Sequence, residues 1–206
     1  MKSSTPFPML FFVLVAFVGI AFAGDLRVEY DEGVGFDSKD YVDHIVSVKP
    51  SKVTASSTLD DNRAYRPHNA ADGDAKTAWC EGAAGTGKGE WIRYDFAKPV
   101  QVVGFALTPK YAKDKATMFN NGRVKRLRIE MEGGFSRTAE FKDDDERVAF
   151  GSAQLDYSLP MIDFKADRTI KKPVKSSWVR FTIEEVFPGK KYQDTCISEI
   201  DVKRWR

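Results

Sequence analysis

Between Asp72 and Trp91 the chain concentrates residues whose types and spacing could do chemistry. Asp72-Gly73-Asp74 followed by Thr77 supplies a tight turn with two carboxylates, a hydroxyl and outward carbonyls, the hard oxygen donors that Ca²⁺ accepts. The longer ligand series of an EF-hand, closing on a Glu, is absent, so a calcium site here must borrow a distant oxygen. Without an ion the same residues make an Asx-type turn. Glu81 and Glu90 flank a glycine loop and offer a general acid and base pair for glycoside cleavage. Carboxylates placed near Lys and Arg are more often ion-paired than catalytic, so this hydrolase reading stays behind a binding one. His44 and His68 are the only histidines, which leaves scarcely any material for a Ser-His-Asp arrangement or a multi-histidine zinc site.

The glycine loop itself, Gly82 to Gly89, comes near the phosphate-cradling pattern but fails one residue later. Gly89 stands where a Ser or Thr hydroxyl is needed for Mg²⁺, and a strand pattern follows in place of the helix that would hold the phosphates. The glycines instead indicate a loop that bends sharply and passes close to other groups. Trp79, Trp91, Tyr65, Tyr111 and Tyr192 sit beside polar or Gly-rich segments, where an aromatic face can stack on a sugar ring, although most aromatics serve the core. Asn120-Asn121-Gly122-Arg123 offers amide and guanidinium donors for hydroxyl or carboxylate recognition; the plainer alternative is a turn with a structural salt bridge.

Short alternating strands must position these groups. In Lys125 to Glu132, Leu127, Ile129 and Met131 point one way while Arg126, Arg128 and Glu130 point the other, which predicts a strand with one core face and one wet face. The same alternation runs through Trp91 to Phe96 and Trp178 to Glu184. Val100 to Leu107 is nearly continuous apolar and reads as a strand buried on both faces; Ile197 to Val202 is the last strand. Gly, Pro, Asn and Asp separate these runs, the pattern of an antiparallel sandwich, and helix signals are thin. Residues 162–177 form a basic loop interrupted by Pro173, a solvated hairpin tip or a reader of an anionic patch.

The N-terminus reads as a secretory signal peptide over residues 1–23: Lys2, an apolar run from Met9 to Phe22, then Ala21-Phe22-Ala23. The run is shorter than the roughly 20 residues of a membrane-spanning helix; an uncleaved anchor is the alternative, and no membrane span is expected after cleavage. The mature chain is expected to be secreted or periplasmic. Cleavage after Ala23 leaves 183 of the 206 residues, enough for one sizeable core. Residues 24–50 read as an N-terminal extension, with Tyr41, Val42, Ile45 and Val46 able to add a short element, and residues 51–206 as the domain. With 32 basic and 30 acidic residues in the whole chain, there is no global field for nucleic acid. Cys80 and Cys196 are the only cysteines. An even count in an exported chain favours a disulfide over metal binding or catalysis, with two separate thiols as the competing reading.

Several blocks together carry a family resemblance. Ala55-Ser56-Ser57, Asn69-Ala70-Ala71-Asp72-Gly73-Asp74 with Thr77-Ala78-Trp79, and Gly87-Lys88-Gly89-Glu90-Trp91-Ile92 resemble the discoidin-like, coagulation-factor type C superfamily. Phe119-Asn120-Asn121-Gly122-Arg123-Val124-Lys125 and Phe187 to Ile200 resemble the branch found as an accessory domain of bacterial NAD glycohydrolases. The resemblance spans about residues 50–206 and implies an all-β, galactose-binding-like jelly-roll sandwich whose end loops bind ligand. NAD cleavage would belong to a separate catalytic domain. Members of the superfamily bind glycans, lipid head groups or proteins, but a fold alone does not give a function.

The resemblance also supplies the missing calcium oxygen. A structural Ca²⁺ would join Asp72, Asp74, Thr77 and a carbonyl near Ala71 to Glu199 of the final strand. The chain departs from the branch at Thr108-Pro109-Lys110-Tyr111, where Asn-Gly is common before the Tyr. The expected function is an exported, non-catalytic glycan-binding module, with ligand contacts from Trp79, Glu81, Glu90, Tyr111, Asn121 and Arg123. A protein-interaction or envelope-assembly domain using the same loops is the alternative, and an unrecognised hydrolase the weakest reading.

Overall fold

The computed structural model describes residues 24–26, 45–143, 161–163 and 172–206. The leader read over residues 1–23 and most of the basic loop, including Lys165, Arg168 and Lys171, lie outside the described residues. In chain order the strands are β1 (Gly24–Leu26), β2 (Ile45–Val48), β3 (Lys52–Ala55), β4 (Trp79–Cys80), β5 (Trp91–Thr108), β6 (Arg123–Met131), β7 (Phe135–Glu140), β8 (Met161–Asp163), β9 (Val174–Phe187), β10 (Cys196–Ile197) and β11 (Glu199–Trp205). One short α-helix, α1 (Lys115–Asn120), follows a cap in which the Asp114 carboxylate accepts from the Thr117 N–H at 2.7 Å.

Two segments read separately in the sequence form one long β5, which turns a corner at the exposed Ala97-Lys98-Pro99. Proline lacks the N–H that a ladder needs, so the pairing register shifts there, between Asp95 and Val100. The first half of β5 pairs with β3 and β9, and β9 continues to β6, β7 and β1. The second half keeps β9 as far as Val102 and then pairs with β8 and β11, and β11 with β2. Two layers therefore share one strand and close on a common core, the all-β jelly-roll sandwich expected from the alternation. Residues placed in the N-terminal extension contribute its edges: Ile45–Val48 pairs antiparallel with β11, and Gly24–Leu26 pairs parallel with β7.

The core follows the predicted faces. Leu127, Ile129, Val179, Phe181 and Ile183 from one layer meet Phe105, Leu107, Ile200 and Val202 from the other, all essentially without exposed surface. Burying each such side chain contributes roughly 1.5–3 kcal/mol. Phe181 takes Tyr94 and Phe105 edge-on at 5.8 and 5.3 Å between ring centres, the geometry that sets a ring's positive edge on a neighbour's negative face. On the outer face Arg126 and Arg128 pair with Glu184, and Arg180 with Glu130. Those charges form a paired, solvated face, as the alternation requires.

Candidate functional site

One end of the sandwich is organised by the disulfide Cys80–Cys196, which joins the paired strands β4 and β10 with their Cα atoms 4.1 Å apart. The two cysteines and Ala78 form a small second core, and Leu59, Tyr65 and Tyr111 pack against it. Tyr65 and Tyr111 meet edge-on at 6.4 Å. Burial, with Tyr65 and Asp114 nearby, pushes the Tyr111 phenol up, so it stays a neutral hydroxyl at physiological pH.

Two further loops lean on this core. The 109–122 loop is tied down where Ser198 donates its N–H to Lys110 and the Ser198 hydroxyl accepts from Ala112, at 2.9 and 3.0 Å. The 188–195 loop is sewn to α1 by Lys190 N–H to the Phe119 carbonyl and Tyr192 N–H to the Asn120 carbonyl, both 2.8 Å. Gly189 sits so close to Asn120, Asn121 and Tyr192 that a side chain there would strike backbone. Tyr192 emerges from this loop 43% exposed.

The two glutamates are not free to act as an acid and base pair. Glu81 has no exposed surface. One carboxylate oxygen accepts from Ala83 N–H at 2.8 Å and the other from Thr195 N–H at 3.0 Å. The glycine loop wraps it: Gly87 has φ +72°, and any side chain there would run into the Glu81 carboxylate. Burial pushes the Glu81 carboxyl up, against the pull of its two N–H donors. Glu90 is held by hydroxyls, accepting from Ser56 at 2.6 Å and from Ser57, which also receives the Gly82 N–H at 2.8 Å.

Several expected ligand contacts become structural for the same reason. Trp79 is fully buried, and its indole N–H donates to the Ser57 carbonyl at 2.9 Å, so its face offers a sugar nothing. Asn121 is 8% exposed and donates to the Thr117 carbonyl at 2.7 Å, closing α1. Arg123 is 7% exposed, lies over the Phe119 ring at 5.1 Å and pairs with Asp143 at 2.8 Å. Of the expected contacts only Tyr111 combines an aromatic face with partial exposure. Lys190, Lys191 and Ser57 fall in blocks of the family resemblance, but nothing in the sequence assigned them a role, because their partners lie far along the chain.

The Asp72 turn closes on its own groups. Asp72 accepts from Asp74 N–H at 2.9 Å and from the Thr77 hydroxyl at 2.8 Å, and Asp74 accepts from Lys76 N–H at 2.9 Å. Glu199 reaches it across the fold, accepting from Gly73 N–H at 3.2 Å. Burial, reinforced by Asp72, Asp201 and Asp74, pushes the Glu199 carboxyl up to about 7. Tyr94 anchors the turn from below, its hydroxyl donating to the Ala70 carbonyl.

The all-β jelly-roll sandwich with its loops gathered at one end is the fold of a discoidin-like module of the F5/8 type C class. The chain belongs to the NAD glycohydrolase translocation F5/8 type C domain family, whose model matches residues 44–203. Among curated proteins it is similar to an alpha-(1->3)-arabinofuranosyltransferase of Mycobacterium tuberculosis, 31% identical over 125 residues. That alignment covers 60% of this chain and only 8% of the transferase.

Among solved structures, the family 32 carbohydrate-binding module of C. perfringens NanJ, in complex with galactose, aligns with TM-score 0.52 and 19% identity over 78% of this chain and 99% of the module. Two such modules of Clostridium perfringens ZmpB, in complex with GalNAc, align with TM-score 0.59 and 11% identity over 88% of this chain and 40% of theirs. At these identities the likeness is one of fold. Among the described residues no helix is long and apolar enough to cross a membrane.

Proposed function

We propose that this protein is an exported, non-catalytic module that binds glycans through the loops around Cys80–Cys196. The observation that carries the reading is the contrast at that end: the best-placed carboxylate, Glu81, is buried against backbone N–H groups, whereas Tyr111 and Tyr192 keep exposed aromatic surface. Aromatic faces with polar neighbours suit sugar rings, which offer C–H groups on one side and hydroxyls at the rim. The galactose- and GalNAc-bound modules of the same fold support the reading by analogy.

A glycan array followed by saccharide titration of the mature protein tests it. The Tyr111→Ala variant is expected to lose at least about tenfold in affinity, some 1.4 kcal/mol, with its near-UV spectrum unchanged. Absence of any saccharide binding, together with one stoichiometric protein recovered from an envelope fraction, would replace glycan recognition by protein interaction.

We further propose that the Asp72 turn takes a structural Ca²⁺ through Asp72, Asp74, Thr77, Glu199 and the Ala71 carbonyl. The donors fit in kind, all being oxygens, and a cation would relieve the half-buried Glu199 charge. Among the described residues, no three acidic, His or Cys side chains are grouped to hold an ion, so Asp72, Asp74 and Glu199 would have to draw together around it on binding. In chelator, folded Glu199 keeps a proton up to about 7 that the unfolded chain releases near 4.5. Stability is therefore highest below that window and falls as pH rises through it, by about 2 kcal/mol after allowing for solvent at this half-exposed group. Glu199→Gln is expected to remove this fall, and calcium to raise the melting temperature of the native protein but not of the variant. An unchanged melting temperature on adding calcium would count against the ion.

A further inference from the structure

We infer that the glycan-binding end takes acidic sugars, bearing carboxylate or sulfate groups, on a cationic aromatic shelf made by Lys190, Lys191 and Tyr192. The inference rests on the glycan reading above and names the class of sugar. Segments 109–123 and 188–195 hold six Lys and Arg against Asp114 and Asp194, a net +4 in a chain whose total is +2. Positive charge is thus gathered on the two loops at this end while the rest of the chain is net acidic.

The shelf has defined geometry. The Phe119 ring is the hub, with the Arg123 guanidinium 5.1 Å and the Lys190 ammonium 5.7 Å from its centre. Backbone bonds from Lys190 to Phe119 and from Lys191 and Tyr192 to Asn120 fix the loop over α1. The Lys191 ammonium lies 4.9 Å from the Tyr192 ring centre, and the Tyr192 hydroxyl holds its pKa up, so it stays cationic.

Arg123 is nine-tenths buried and spends one terminal nitrogen on Asp143, while its Nε finds no hydrogen-bond partner among the described residues. It therefore steadies the Phe119 hub from within and leaves ligand contact to Lys190 and Lys191. The acidic groups at this end are Asp114, Asp143 and Asp194, with Glu81 buried on the Ala83 and Thr195 N–H groups and Glu90 held by Ser56 and Ser57.

Exposure decides between an acidic sugar and an anionic membrane. Among the described residues the only exposed large hydrophobics are Tyr192 and Trp205. Lipid docking by loops needs apolar side chains that enter the acyl region, and here the exposed ring carries a hydroxyl and sits beside ammonium groups. That combination suits a ring stacked on Tyr192 with its acid group directed at the lysines.

The test uses the full mature protein with polygalacturonate, its fully methyl-esterified form, hyaluronate, dextran sulfate and neutral dextran, at about 50 mM and about 500 mM NaCl, which changes the Debye length severalfold. The acidic polymers are expected to bind at least tenfold tighter than the esterified and neutral ones at low salt, and the preference to collapse at high salt. Lys190→Ala with Lys191→Ala is expected to abolish the preference, bringing the affinities for acidic and neutral polymers together at low salt. Tyr192→Ala weakens both, and an unchanged disulfide and near-UV spectrum show that the fold is kept. Equal affinity for charged and neutral polymers overturns the inference and leaves the glycan reading standing. Absence of binding to any saccharide overturns both. Binding to phosphatidylserine vesicles without binding to acidic polymers assigns the shelf to lipid and overturns the inference.

Discussion

Replacing Cys80 and Cys196 together by serine is expected to lower the thermal midpoint by roughly 10–20 °C, from the chain-entropy stabilisation of a cross-link and the few degrees per kcal/mol typical of this size. The bridge closes a loop of sequence separation 116. Releasing it restores about 5 kcal/mol of unfolded-chain freedom in that model, less any strain relieved in the native state.

The local cost adds to this. Both cysteines are buried in two-residue strands whose only mutual pairing is Cys80 with Cys196 and Trp79 with Ile197, and so short a ladder depends on the cross-link for its register. Tyr65 and Tyr111 pack on the same pair, so saccharide binding should fall along with stability. Calorimetry of oxidised protein, the double variant and reduced native protein checks the effect. A midpoint lowered by less than about 3 °C, under the typical cost of losing a native disulfide, would show that β4 and β10 hold without it.

Glu81→Ala carries the next largest expected loss, about 3–5 kcal/mol. Its two buried carboxylate oxygens satisfy Ala83 and Thr195 N–H. Removing them strands both donors, each at a cost of about 1–3 kcal/mol, and opens a cavity beneath Gly87. Glu81→Gln is not a mild substitute. Its amide nitrogen must face one of the two N–H groups, donor against donor, so about 1–3 kcal/mol is still lost.

Denaturant unfolding of both variants measures these values. The same proteins also decide the hydrolase reading. A glycoside hydrolase relying on Glu81 would lose turnover in Glu81→Gln beyond its loss of folded fraction, whereas a structural Glu81 leaves any residual turnover proportional to folded protein. Stability within about 0.5 kcal/mol of native for Glu81→Ala would refute the pin, since surface changes cost no more than that.

Where residue pattern and structure agree, the reason is local. Leu127, Ile129 and Met131 are buried, and their alternating neighbours Arg126, Arg128 and Glu130 form ion pairs on the outer face, because a strand's period of two sorts faces whatever it packs against. The disulfide was legible because only two cysteines exist. α1 escaped the pattern because six residues are too few to display a period of 3.6, leaving only the Asp114 cap as a signal. β1 escaped, and β2 was legible only as a short element around Ile45 and Val46, because three- and four-residue edge strands in an acidic, Gly-bearing segment look like extension until a partner edge is present.

The Asp72 to Trp91 stretch shows where residue type stops being informative. The sequence by itself determined that this segment holds carboxylates, glycines, a tryptophan and a cysteine, that short strands surround it, and that the fold is a discoidin-like sandwich. Only the tertiary structure decided that Trp79 and Glu81 face inward, and that exposure passes to Tyr111, Lys190, Lys191 and Tyr192. The physical reason is that strand period and turn chemistry depend on near neighbours, whereas burial at a loop depends on distant ones. Thr195 and Cys196 arrive from more than a hundred residues away to cover Glu81 and Cys80, and no spacing within the loop can announce them.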